Sequence, residues 1–199
     1  QKTRKGGYDG KGVLIVNDGS EWPKNALAGK SIIEEAVKVE KELGVLVASD
    51  GNGNYVIYEP VEMVFDPVAN LVDYLVYPSP AHPDKLKEAK TLALQVAEAM
   101  NLKGLLAVEL FLTSTNELLV NEVAPRTHNS GHAGIEASLT SQFEQHARLM
   151  CGLPLGSPQM LFPSSMINII GPPEINGEPL YANLEELTAI PGVYVHLYG

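Results

Sequence analysis

Two strand-like runs, residues 104–112 and 118–124, flank Ser114-Thr115-Asn116-Glu117, and this pairing constrains the chain more than any other feature. A four-residue loop between such runs closes an antiparallel hairpin. Pairing Thr113 with Leu118 sets Leu112 against Leu119, Phe111 against Val120 and Glu109 against Glu122. Directly opposed residues have Cβ atoms roughly 4.5–5.5 Å apart, so the two carboxylates repel. A divalent cation between them removes the repulsion, and magnesium bridges carboxylates to substrate phosphates. The alternative is a one-residue slip that sends the two acids to opposite faces and leaves Glu122 solvated.

Around this hairpin the chain reads as short strands with few helices. Residues 43–49 and 54–60 flank Asp50-Gly51-Asn52-Gly53, a second hairpin signal. Residues 13–16, 31–37, 166–170 and 193–197 read as further strands, 18–28 as a short helix or turn, and 66–79 as mixed. The clearest helix spans 83–102, where Leu86, Ala89, Ala93, Val96 and Met100 make an apolar stripe and Lys87, Lys90 and Glu98 lie off it. A second helix covers 139–150, with Ser141 and Glu144 in capping-box spacing, and a short one lies near Leu184. The expected class is α+β: a mainly antiparallel sheet with flanking helices.

The 199 residues carry a formal net charge of -10, which repels nucleic-acid backbone and anionic lipid alike. No apolar run approaches the ~20 residues of a membrane span. Neither nucleic acid nor membrane is an expected partner, and the cytoplasm is the expected location. Cys151, the only cysteine, leaves no intrachain disulfide and reads as a small buried apolar residue. The chain begins without methionine, in what reads as the end of a strand, and is expected to be a piece of something longer.

Local cations run against the overall charge. Lys2, Arg4, Lys5 and Lys11 crowd the N-terminus, either as a solvated edge strand or as an anion site. Among them, Gly6-Gly7-Tyr8-Asp9-Gly10-Lys11-Gly12 lets backbone amides turn toward an anion, and its tip carries a phenol and a carboxylate. The spacing is not that of a P-loop: one residue is missing before Gly10-Lys11, and Gly12 stands where Ser or Thr is needed. Past Glu122, His128 and His132 are four apart, but Asn129-Ser130-Gly131 between them argues against a helix and hence against zinc. Arg126 and His128 read as donors for an oxyanion, with a structural ion pair the alternative for Arg126.

The glycine loop, the run Asn121-Glu122-Val123-Ala124-Pro125-Arg126-Thr127-His128-Asn129-Ser130-Gly131-His132, Ser141-Gln142-Phe143-Glu144 and Met166-Ile167-Asn168 together resemble the N5-carboxyaminoimidazole ribonucleotide synthases, ATP-grasp ligases of purine biosynthesis. The resemblance implies an ATP-grasp fold and a reaction in which bicarbonate attacks the ATP γ-phosphate. The resulting carboxyphosphate then delivers its carboxyl carbon to the amine of 5-aminoimidazole ribonucleotide. It implies ATP and Mg2+ (or Mn2+) as cofactors and a homodimer for the full-length protein. Lys2 matches a nucleotide-phosphate lysine, Glu34, Glu35, Ala36 and Val37 an adenine-binding hinge, and Glu42 a ribose-binding glutamate. Glu109 and Glu122 match two metal ligands, and Asn121 and Glu122 fall at the ATP site. Tyr8, Asp9, Lys11 and Arg126 match substrate-binding positions, and Asp9, Arg126, His128 and Asn129 catalytic ones.

By the same resemblance, residues 1–36 are part of a small subdomain bearing a mobile glycine loop. Residues 37–157 form the large subdomain, and 158–199 a truncated β-rich C-terminal part. The family's N-terminal domain and a basic segment expected after Gly199 are missing, so the chain alone is expected to be inactive. Two other readings stand beside this one: a sister ATP-grasp ligase of the glycinamide ribonucleotide transformylase or carboxylase type, and a non-catalytic nucleotide-binding fragment.

Overall fold

The structure, a computed structural model, describes residues 1–6, 12–16, 24, 26–27, 29–66, 71–169, 171, 177 and 180–197. Backbone contacts divide the chain into Gln1–Asn168 and Ile169–Gly199.

The first unit is built on a seven-stranded antiparallel sheet. In chain order its elements are β1 (Lys2–Thr3), β2 (Ser31–Ile32), β3 (Val39–Ser49), β4 (Tyr55–Ile57), β5 (Val61–Phe65), β6 (Val72–Tyr77), α1 (Pro83–Ala99), β7 (Gly104–Thr113), β8 (Leu118–Ala124), α2 (Gly134–Ala137), α3 (Gln142–Met150) and β9 (Ser164–Ile167). A 3-10 turn, Asn129–Gly131, lies between β8 and α2. The sheet order is β8-β7-β3-β5-β6-β9, with β4 also on β3, while β1 and β2 pair separately. All strand pairs are antiparallel, as the hairpin spacing requires.

Alternation along β3 and β7 separates the sheet into two faces. Leu43, Val45 and Val47 of β3 and Leu106, Val108 and Leu110 of β7 pack with Ala89, Ala93 and Ala97 of α1. On the opposite face, Leu46 and Ala107 meet Tyr58, and Val61, Met63 and Leu75 meet Ala133 and Ala137. Tyr58 and Tyr77 are buried there, their hydroxyls bonded to the Thr140 carbonyl at 3.0 Å and to Ser138 Oγ at 3.1 Å.

Several boundaries differ from the sequence reading. α1 stops at Ala99 because Asn101 takes φ 50° and the Leu102 amide returns to the Ala97 carbonyl. Met100 therefore leaves the apolar stripe and is exposed, and Ala97 takes its place in the core. α3 begins at Gln142 rather than 139, since Ser141 is its cap and accepts from the Glu144 amide at 3.1 Å. Cys151 is exposed, because it sits at the end of α3 rather than on its packed face. Of the expected strand 31–37 only Ser31–Ile32 finds a partner, Lys2–Thr3, and of 13–16 only Val13 forms a bridge, to Lys2. The expected segment 18–28 lies almost wholly outside the described residues.

Within 158–199, the one strand among the described residues is β9, which adds to β6 of the large sheet. Among the described residues of the second unit the only regular element is α4 (Leu184–Thr188), the short helix expected near Leu184. Residues 193–197 are not a strand, having no ladder partner among the described residues.

Candidate functional site

The β7–β8 hairpin does bring Glu109 opposite Glu122, by a different route from the one loop length implies. The Thr113 amide donates to the Glu117 carbonyl at 2.9 Å, so the loop has three residues, with Asn116 at φ 65°. Leu112 consequently pairs with Leu118, Phe111 with Leu119 and Leu110 with Val120, each one residue out of the expected register. A bulge then inserts Asn121 as an unpaired residue, and pairing resumes at Glu109–Glu122. The bulge has a second consequence, since such an insertion re-aims side chains next to it. The Asn121 side chain accepts from Lys2 Nζ at 3.3 Å and acts on Glu109 to favour its charged form.

Glu109 is cross-strand from Gly44 of β3, and Glu42 lies two residues along the same face. Three carboxylates therefore share one patch of sheet. Burial, then the charges of Glu122 and Glu42, push the Glu109 carboxyl up to about 7, against smaller opposing effects of Asn121 and Arg126. Burial and Glu122 also raise Glu42. His128 Nε2 stands 3.3 Å from Glu109 Oε1, with both side chains largely buried. Lys2 Nζ is also 3.1 Å from Glu34 Oε2 and so ties Glu34 to the bulge.

The 3-10 turn holds His128 over this patch. A Cβ on Gly44 would come within 2.6 Å of Ser130 Cβ, so only glycine in β3 lets the turn lie this close. His128 caps the turn: the Ser130 amide donates to its Nδ1 at 3.3 Å and Ser130 Oγ lies 3.0 Å from the same nitrogen. The proton of a neutral His128 then belongs on Nε2, directed at Glu109. Gln142, at 1% exposure, grips the His128 peptide from below: its Oε1 accepts from the His128 amide at 2.8 Å, and its Nε2 donates to the His128 carbonyl at 2.7 Å.

The structure thus brings together Lys2, Glu34, Glu42, Glu109, Asn121, Glu122 and His128, with Arg126 near enough for its charge to act on Glu109. Arg126 is exposed and donates to the Thr127 carbonyl at 3.0 Å, and Asn129 is half-buried in the turn. Glu35 and Ala36 are exposed and Val37 is half-buried, in a segment outside any strand. Tyr8, Asp9 and Lys11 lie outside the described residues. Residues 129–131, expected to be non-helical, make one 3-10 turn. Sequence reasoning missed the fit of Gly44 to Ser130 and the Gln142 clamp. The one signal available for the latter was a glutamine directly after a capping serine, within one of the resembling motifs.

Among the described residues no group of three or more His, Cys, Asp or Glu is arranged to hold a metal ion unaided. Two facing carboxylates, one of them the buried Glu109 with its raised proton affinity, instead fit a cation that completes its shell with phosphate oxygens and water.

The sheet carries its paired glutamates on the face away from α1. The chain belongs to the ATP-grasp domain family, whose model matches residues 1–143. Within that family it is similar to the N5-carboxyaminoimidazole ribonucleotide synthase of Bacillus subtilis (strain 168): 40% identical over 173 residues, 85% of this chain and 45% of that protein. The crystal structure of N5-carboxyaminoimidazole ribonucleotide synthetase from Thermotoga maritima is 42% identical with TM-score 0.87, covering 100% of this chain and 51% of that one. The Aspergillus clavatus synthase in complex with ADP and 5-aminoimidazole ribonucleotide is 32% identical with TM-score 0.64, over 69% of this chain and 37% of that one. The chain spans about half the length of the curated relatives it matches. No helix among the described residues is long and apolar enough to cross a membrane.

Proposed function

We propose that this chain is the nucleotide- and cation-binding part of an ATP-dependent ligase that carboxylates 5-aminoimidazole ribonucleotide with bicarbonate, giving N5-carboxyaminoimidazole ribonucleotide. The observation that carries the reading is Glu109 set against Glu122, with His128 on Glu109. Similarity to synthases of that name supports the choice of substrates.

In this reading Glu109 and Glu122 would hold Mg2+ or Mn2+, which would supply positive charge against the phosphates. Lys2 meets the phosphates once it leaves Glu34. The hinge Glu34, Glu35, Ala36 and Val37 holds adenine, partly through backbone groups. Glu42 takes the ribose, and Asn121 fixes Glu109. Arg126, His128 and Asn129 hold bicarbonate. A bicarbonate oxygen attacks the γ-phosphorus while the bond to ADP breaks. The amine then takes the carboxyl carbon, losing a proton as phosphate leaves. By the family resemblance Tyr8, Asp9 and Lys11 serve the ribonucleotide, with Asp9 among the catalytic groups. The division at 36 and 157, a homodimer and a cytoplasmic setting belong to the same proposal.

ADP release by the intact protein, measured with and without bicarbonate and 5-aminoimidazole ribonucleotide, tests the reading. Release that needs both, and is abolished by Glu122→Gln in a folded variant, is the expected result. Release indifferent to bicarbonate contradicts it.

A further inference from the structure

We infer that Gln142 is a positioning residue for the bicarbonate end of the site, acting through the His128 peptide and His132; this rests on the reading just proposed. Gln142 touches none of the reacting groups in that reading. Its side chain is 1% exposed, yet it is polar at both ends, and a buried amide persists only where both ends are bonded. Both ends are bonded to one short segment. Oε1 accepts from the His128 amide at 2.8 Å, and Nε2 lies 2.7 Å from the His128 carbonyl and 2.9 Å from His132 Nδ1.

The orientation of the amide follows from these contacts. A backbone N–H can only donate and a carbonyl only accept, so oxygen faces the His128 amide and NH2 faces the His128 carbonyl and His132. His132 Nδ1 must then accept, which places the His132 proton on Nε2. The His132 ring also stacks on Phe143, centroids 5.7 Å apart, in the residue following Gln142.

Nothing between Gln142 and the turn gives way easily. A Cβ on Gly131 would lie 2.5 Å from Gln142 Cδ and 2.6 Å from Leu46 Cδ1, so the amide is wedged between the turn and the sheet. Ser141, which caps α3, fixes the backbone that carries it. α3 is thereby coupled to the position of His128 Nε2 over Glu109, and with it to the width of the bicarbonate position.

The test has a structural and a kinetic arm. Imidazole 15N spectra of this chain should show His132 as the Nε2–H tautomer; an Nδ1–H tautomer overturns the inference without any variant. Gln142→Met keeps the side-chain length and removes all three bonds. In the intact protein it should cut kcat/KM for bicarbonate by at least about tenfold, since small misplacements of reacting groups have effects of that order, while KM for ATP moves less than about twofold. Gln142→Glu keeps only the acceptor, and should fall between wild type and Gln142→Met. Equal losses for ATP and bicarbonate, or wild-type kinetics in folded Gln142→Met, overturn the inference. Absence of bicarbonate-dependent turnover in the wild type would instead defeat the proposed reaction and with it the bicarbonate role of Gln142, whatever the His132 tautomer shows.

Discussion

The two faces of strands β3 and β7 are made by alternate residues of the same segments, yet they follow opposite rules. Under α1, Leu43, Val45, Val47, Leu106, Val108 and Leu110 are buried against alanines, and this part of the face is apolar. On the other side, Glu42 and Glu109 of the same strands gather beside Glu122, and like charges share a partly desolvated patch. One face holds the fold together. The other lowers stability, and in the proposed reading it keeps an affinity for cations in exchange. Such concentration of unfavourable charge is characteristic of functional sites.

Substitutions at single positions separate the two rules. The largest effect belongs to the apolar face: Leu110→Ala should lower unfolding free energy by about 2–5 kcal/mol, measured by urea titration. Glu109→Gln should do the reverse at high pH. The folded-state value of about 7 lies above the ordinary 4.5, so the folded chain holds the extra proton. That stabilising contribution is complete below 4.5 and is lost as pH rises through about 7. The variant should therefore be more stable than wild type by on the order of 2 kcal/mol at alkaline pH, and equal to it in acid. A wild-type profile flat from acid to alkaline pH would contradict this.

Gly44→Ala probes whether the carboxylate face is closely packed as well as charged. A methyl group there meets Ser130, so a loss of about 1–3 kcal/mol is expected, with the His128 signals shifted in NMR spectra. Smallest of all, Glu122→Gln removes an exposed charge and should change stability by less than ~0.5 kcal/mol, in the favourable direction. A large loss would mean that Glu122 has a structural partner.

How much of this was legible in sequence differs between the same two faces. Strand alternation and the alanine spacing of α1 place the apolar face, missing only the helix end set by Asn101. The glutamate pair was also legible, but for an incomplete reason. Loop length counts residues and not their φ angles, so it gave a four-residue loop where Asn116 closes one of three, and it contained no bulge. The two departures cancel at Glu109. Non-local fits such as Gly44 under Ser130 and Gln142 behind His128 join residues far apart in sequence, and no local pattern encodes them. The strands expected at 31–37 and 193–197 failed because a strand needs a partner, and apolar alternation alone does not name one.

The central claim, that the carboxylate face is a cation and phosphate site, is tested most directly by proton linkage. Calorimetric titration of the chain with Mg·ATP near pH 6.5, in buffers of different ionisation enthalpy, counts protons released on binding. With Glu109 protonating at about 7, binding should release a substantial fraction of one proton, and affinity should rise with pH until Glu109 is fully ionised. Both effects should vanish in Glu109→Gln. Binding that releases no proton, or whose pH dependence survives that substitution, would contradict the assignment.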